Sequence, residues 1–139
     1  MDAKKFLLGT LGGGVAYFLV GFVLYGLVMA DFFAANAGTA SGVTKEPPAL
    51  WALAIGNLLH GALLTYIFGK WAGIRTFSGG LMGGAIVGLL MGGGMDFVMY
   101  GTSNLMNMTG LITDIVVFGL MSALAGGVVG WILGRGEQL

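Results

Sequence analysis

Asp96 is an acid inside a long apolar run. It follows Gly80, Gly84, Gly88 and Gly92 at a constant spacing of four, and Tyr100 and Asn104 continue the series. That spacing puts all of them on one helix face. A carboxylate in hydrocarbon costs roughly 2.5–3.5 kcal/mol or more, so an acid in a membrane segment faces the protein interior or a water-filled cavity. There it binds a cation or a proton, or accepts a hydrogen bond from a tyrosine. The alternative is plain hydration: Asp96 lies 19 residues past Phe77, about one hydrocarbon thickness along a helix, and so near the outer interface.

His60 is the single histidine and lies near the middle of another apolar run, with Asn57 and Thr65 on neighbouring turns. A central histidine can relay protons or switch with pH. The preferred reading is a neutral, hydrogen-bonded residue of a helix bundle. Asp114 follows Thr113, where the fourth apolar run begins, and is read as a first-turn carboxylate stabilised by the helix dipole. Asp31, Asp96 and Asp114 would together make the outer face acidic, a weak vestibule for cations.

Other chemistries find no motif. Gly94-Met95-Asp96 interposes a methionine in the Gly-x-Gly-Asp pattern of intramembrane aspartyl proteases. One histidine and no cysteine make a zinc site improbable, and no metal or other cofactor is expected. Gly101-Thr-Ser-Asn104 lacks the strand-turn-helix setting of a nucleophile elbow. The glycines are spaced for helix packing and not for cradling phosphate. Met91, Met95 and Met99 share a helix face and read as apolar filler. The chain is not expected to be an enzyme.

The elements that must position these residues follow from composition. Of 139 residues, 57% are hydrophobic and 9% charged, and mean hydropathy is +0.93. Soluble domains carry about 25% charged residues, so this chain belongs in a bilayer. Net charge is zero, which leaves no basic field for nucleic acid. Four apolar stretches near residues 6–30, 50–68, 77–100 and 111–133 each suffice to span ~30 Å. The expected fold is all-α: one four-helix transmembrane domain over residues 1–139. The connector 31–49 is polar and ends in Pro47-Pro48; 70–76 is a basic turn and 102–109 an uncharged polar one. The first stretch has a basic start, but its apolar length exceeds that of a cleaved signal, so it is read as a retained helix. Lys4, Lys5, Lys70, Arg75 and Arg135 fall on one side of alternating helices, with Lys45 alone on the other. By the positive-inside rule both termini are cytoplasmic, which suits an inner (cytoplasmic) membrane. Trp51, Trp71 and Trp131 sit near helix ends as interfacial anchors.

The chain also repeats itself. At an offset of 65, Gly61, Tyr66, Ile67, Gly69 and Lys70 overlie Gly126, Trp131, Ile132, Gly134 and Arg135. At an offset of 71, Phe6, Gly9, Gly12, Gly13 and Gly21 overlie Phe77, Gly80, Gly83, Gly84 and Gly92. It therefore reads as two helical hairpins in parallel orientation, a kind of repeat related by an axis along the membrane normal. Each helix carries a ladder of small or polar residues at spacing four: Gly9–Gly21, Asn57–Gly69, Gly80–Gly92 and Ser122–Gly134, the last through Gly126 and Gly130. Small residues let helix backbones approach closely, and in lipid such packing is a main source of association. The ladders are expected first to pack the bundle itself, with self-association as an additional use.

Val15-Ala-Tyr-Phe-Leu-Val-Gly-Phe-Val-Leu-Tyr25 before a long outer loop, and a glycine-rich third helix running into an Asn-containing turn near Asn104, carry a resemblance. The chain resembles bacterial four-helix membrane proteins known as a domain of unknown function, numbered 1761, although the Trp-Tyr-Ser-Pro type of ending is absent from its first helix. The resemblance implies a fold and no activity. Two functions remain. The first expectation is a structural or accessory subunit, self-associating or docked in a larger membrane complex through its glycine ladders. The alternative is a small oligomeric transporter or channel for a proton, cation or small solute, resting on His60, Asn57 and Asp96.

Overall fold

Local capping chemistry sets where the helices begin. In the computed structural model, which describes residues 1–135, the Asp2 carboxylate accepts from the Lys5 N–H at 2.8 Å and starts α1 (Ala3–Val28). Thr76 accepts from the Gly79 N–H at 3.0 Å and starts α4 (Phe77–Thr102). Asn107 accepts from the Gly110 N–H at 2.8 Å and starts α5 (Met108–Arg135). Each side-chain oxygen satisfies a backbone donor that the first turn leaves unpaired. A short α2 (Ala30–Ala35) follows α1, and α3 (Leu50–Ala72) follows the two prolines. The four long helices are apolar and long enough to cross a membrane, and no strand occurs among the described residues. The segment 136–139, the end of a tail too short to form a domain by itself, lies outside the described residues.

Several features differ from the sequence reading: α3 runs on as a π-helical segment, Ile67–Ala72, into the expected basic turn 70–76. The connector 31–49 contains most of α2, whose Phe32 and Phe33 meet edge to face, with Phe33 stacked on Tyr25. The last turn of α1, Phe22–Val28, is wound as a π-helix, closing with the Met29 N–H donating five residues back to the Leu24 carbonyl at 2.8 Å. Finally, α5 begins earlier than its apolar run because Asn107 caps it. Asp114 therefore lies beyond the first turn, and the helix dipole, which acts within the first turn, is not what holds it.

At the end where α1 leaves and α5 begins, the connector is tied to the α4–α5 turn. Gly38 and Ala40 donate to the carbonyls of Leu105 and Asn104 at 3.1 and 3.0 Å, and Asn107 donates to Asn36 O at 3.2 Å. At the other end Gly73, at φ +64°, turns the chain out of α3, a left-handed conformation that glycine adopts without a Cβ clash.

The helices pack as α1 on α3 and α4 on α5, and α1 on α5 joins the two pairs. α3 touches α5 lightly and makes no comparable contact with α4. Half of the most apolar window of α5 is buried, against 17–22% in the others, so α5 is the hub. The α4–α5 contact is backbone on backbone. A Cβ at Gly80 or Gly84 would overlap the Gly126 or Ser122 carbonyl, and one at Gly126 would overlap the Gly80 carbonyl. At the α1–α3 contact a Cβ on Gly61 would sit 2.7 Å from the Thr10 carbonyl oxygen. Around these seams Tyr17, Leu64, Phe68, Ala125 and Val129 form the core.

Gly84→Ala must push α4 off α5, because the obstacle is backbone that cannot rotate away. The expected loss is about 1–3 kcal/mol in a reversible detergent-unfolding titration. Gly94→Ala, on the same helix with nothing within 4 Å, is the control and should change stability by less than about 0.5 kcal/mol.

Candidate functional site

The glycine seam between α4 and α5 opens, one step further along, into a polar site. The two helices run antiparallel, so Gly88 meets Ser122 and Gly92 meets Phe118, whose ring would lie 3.0 Å from an added Cβ. The next residues at spacing four are Asp96 on α4 and Asp114 on α5. Their carboxyl groups are within hydrogen-bonding reach of each other. The Tyr25 hydroxyl, carried by the π-helical turn of α1, reaches Asp114 as well. Asp96 is 7% exposed, so plain hydration at the interface does not describe it, and its Oδ2 finds no donor among the described residues.

A carboxylate has acceptors and no donor, so two of them are bonded to each other only when one carries a proton. Charge in apolar surroundings has to be compensated. Among the described residues no fixed cation stands ready: Lys4, Lys5, Lys70, Arg75 and Arg135 lie at the opposite end of the bundle, and Lys45 is exposed in the connector. Asp96 is separated from the start of α4 by about 30 Å of helix.

His60 approaches the pair from α3. Its ring centroid is 5.5 Å from that of Phe118 and 5.4 Å from that of Tyr17, and its Nδ1 is buried without a partner. His60, Asp96, Asp114 and Phe118 line a cavity of about 270 Å³, whose remaining wall includes Met91, Met95 and Met99. The cavity occupies the cleft where α3 and α4 fail to meet. No group of three or more His, Cys, Asp or Glu among the described residues could hold a metal ion.

Three sequence candidates therefore converge, and two do not. Asn57 turns its amide to its own helix, donating to the Leu53 carbonyl at 2.8 Å. It lines a separate, mostly apolar cavity of about 580 Å³ shared with Tyr25 and Phe118. Tyr100 is 42% exposed and does not line the polar cavity. Thr65 donates to the Gly61 carbonyl at 2.8 Å, the usual way a helix absorbs a buried hydroxyl. Two contributors escaped the sequence reading. Tyr25 was legible as the next step of the ladder Gly9–Gly13–Tyr17–Gly21. Tyr17 donates to Ser122 Oγ at 2.9 Å in full burial, and both belong to ladders already recognised.

No family model, curated protein or solved structure matches this chain.

The Tyr17–Ser122 bond ties α1 to α5 directly beneath the site. Tyr17→Phe leaves Ser122 Oγ without its donor and is expected to cost about 0.6–2 kcal/mol. A double-mutant cycle with Ser122→Ala checks it: if the two losses simply add, the bond contributes nothing.

Proposed function

We propose that this chain is a small oligomeric membrane transporter or channel whose intramembrane carboxyl pair, Asp96 with Asp114, binds a proton or another small cation. The observation that carries this reading is the convergence of two acids from different helices at a buried position without a fixed positive charge beside them. A buried acid left without a cation is costly, and intramembrane acids mark ion and proton pathways. The glycine ladders weigh in the same direction. Those of α4 and α5 face each other, and Gly9, Gly13 and Gly61 are used between α1 and α3, so these faces are not free for a partner.

The same proposal places the chain in the inner (cytoplasmic) membrane with both termini cytoplasmic, on the strength of its basic residues. It includes descent from two duplicated hairpins and kinship with the four-helix proteins numbered 1761. An accessory-subunit role is the second reading. It is favoured by α4, which rests on α5 and leaves Met82, Leu90 and Val98 65–72% exposed to lipid or to a partner.

The test is proton flux into proteoliposomes holding a trapped pH-sensitive dye under an imposed potassium diffusion potential. Flux above that of empty vesicles is expected, falling by about tenfold or more in Asp96→Asn and in Asp114→Asn, a loss of ~1.4 kcal/mol or more. Wild-type flux no greater than that of empty vesicles rules proton transport out, and flux equal to that of Asp96→Asn removes the carboxyl pair from the pathway. Native mass spectrometry that finds unrelated subunits in the gently extracted complex would then support the accessory role.

A further inference from the structure

Two hydrogen-bonding atoms beside the α3–α4 cleft lack a partner, Asp96 Oδ2 and His60 Nδ1. They come from different helices, and both residues line the same cavity. Asp96 is more than nine-tenths buried, so its unpaired oxygen is not a surface group awaiting water. With one proton between Asp96 and Asp114, the site keeps a single negative charge.

The walls decide which cation suits that charge. Inorganic cations are held by shells of oxygen ligands that replace their water. Here the two carboxyl groups are followed by three thioethers and a phenyl ring. Thioethers pack softly against hydrocarbon, and an aromatic face attracts an organic cation. The volume of about 270 Å³ equals about nine waters at ~30 Å³ each, space for a molecule of similarly few heavy atoms. A primary ammonium group only donates, and the site presents the Asp96 and Asp114 carboxyl oxygens to receive it.

We propose that the cleft binds a compact lipophilic primary amine as its ammonium ion. The –NH3+ group donates to Asp96 and Asp114, His60 stands on the facing wall, and the hydrocarbon part lies against Phe118 and the methionine wall. Met95, 63% exposed, stands at the lipid-facing mouth, so the ligand enters sideways between α3 and α4. This inference rests on the reading of the carboxyl pair as a cation site and adds the class of cation.

The experiment titrates 2-phenylethylammonium into the full chain in nanodiscs, with empty nanodiscs subtracted and 2-phenylethanol as the neutral isostere. Saturable binding at one ligand per chain is expected, with the alcohol weaker by about tenfold or more. Asp96→Asn and Asp114→Asn should each weaken the amine by a similar factor. Met95→Trp tests the cavity without touching the carboxyl groups: the indole fills the mouth and should also lower affinity about tenfold in a normally folded protein. Equal binding of amine and alcohol, displacement of the amine by excess KCl, or unchanged affinity in both carboxyl variants each overturns the proposal. Proton flux that depends on Asp96, without amine binding, overturns it while leaving the transport reading intact. Amine binding without proton flux upholds it and overturns proton transport. Neither binding nor flux overturns both.

Discussion

The structure depends on how closely α4 and α5 approach each other. In a bilayer the tails are as apolar as the side chains, so helices gain little by burying leucine against leucine. They gain by bringing backbones together, and only residues without bulk permit that. Gly80, Gly84 and Gly126 lie against opposing backbone, where a single methyl group would collide with a carbonyl. Once this seam is set, the antiparallel register is set with it. The position of every residue at spacing four then follows, including the two acids at its far end.

The carboxyl pair is therefore a continuation of the packing geometry, with the glycine replaced by a functional group. The seam widens from Gly–Gly to Gly92–Phe118 and then to Asp96–Asp114, and the widening makes room for polar atoms. The neighbouring cleft exists for the complementary reason. α1 packs on α5, whereas α3 and α4 do not close on each other as a symmetric pairing of hairpins would require. His60 faces that gap. The π-helical end of α1 completes the arrangement by carrying Tyr25 to Asp114.

Much of this was legible in the residues. Hydropathy and length located all four spans, because a bilayer demands long apolar runs. Spacing of four located Asp96 on the glycine face, since the helix repeat holds whatever the tertiary context. The start of α5 was misplaced because hydropathy weighs polar Asn107 as loop, while its carbonyl oxygen acts as a cap. Asp114 inherited that error: counted from Leu111 it belongs to the first turn, and counted from Met108 it does not. His60 and Asn57 looked like neighbours on one helix, yet they face different cavities, a matter of rotation about the axis that no single-helix pattern reports. The α2 turn was hidden for a simpler reason: six residues give too little periodicity to read.

The hub of the bundle, α5, is the fourth of the long helices to be made. α1 and α3 can close on each other through Gly13, Gly14 and Gly61 as soon as both are in the membrane. α4 has no such companion, because its contacts are with α5. Between the synthesis of Thr102 and that of Arg135 it stands in the bilayer with its glycine stripe bare and Asp96 uncovered, for about two to seven seconds at ~5–20 residues per second. Assembly thus has an interval in which the acid that later faces Asp114 has no partner helix over it, and α5 ends that interval.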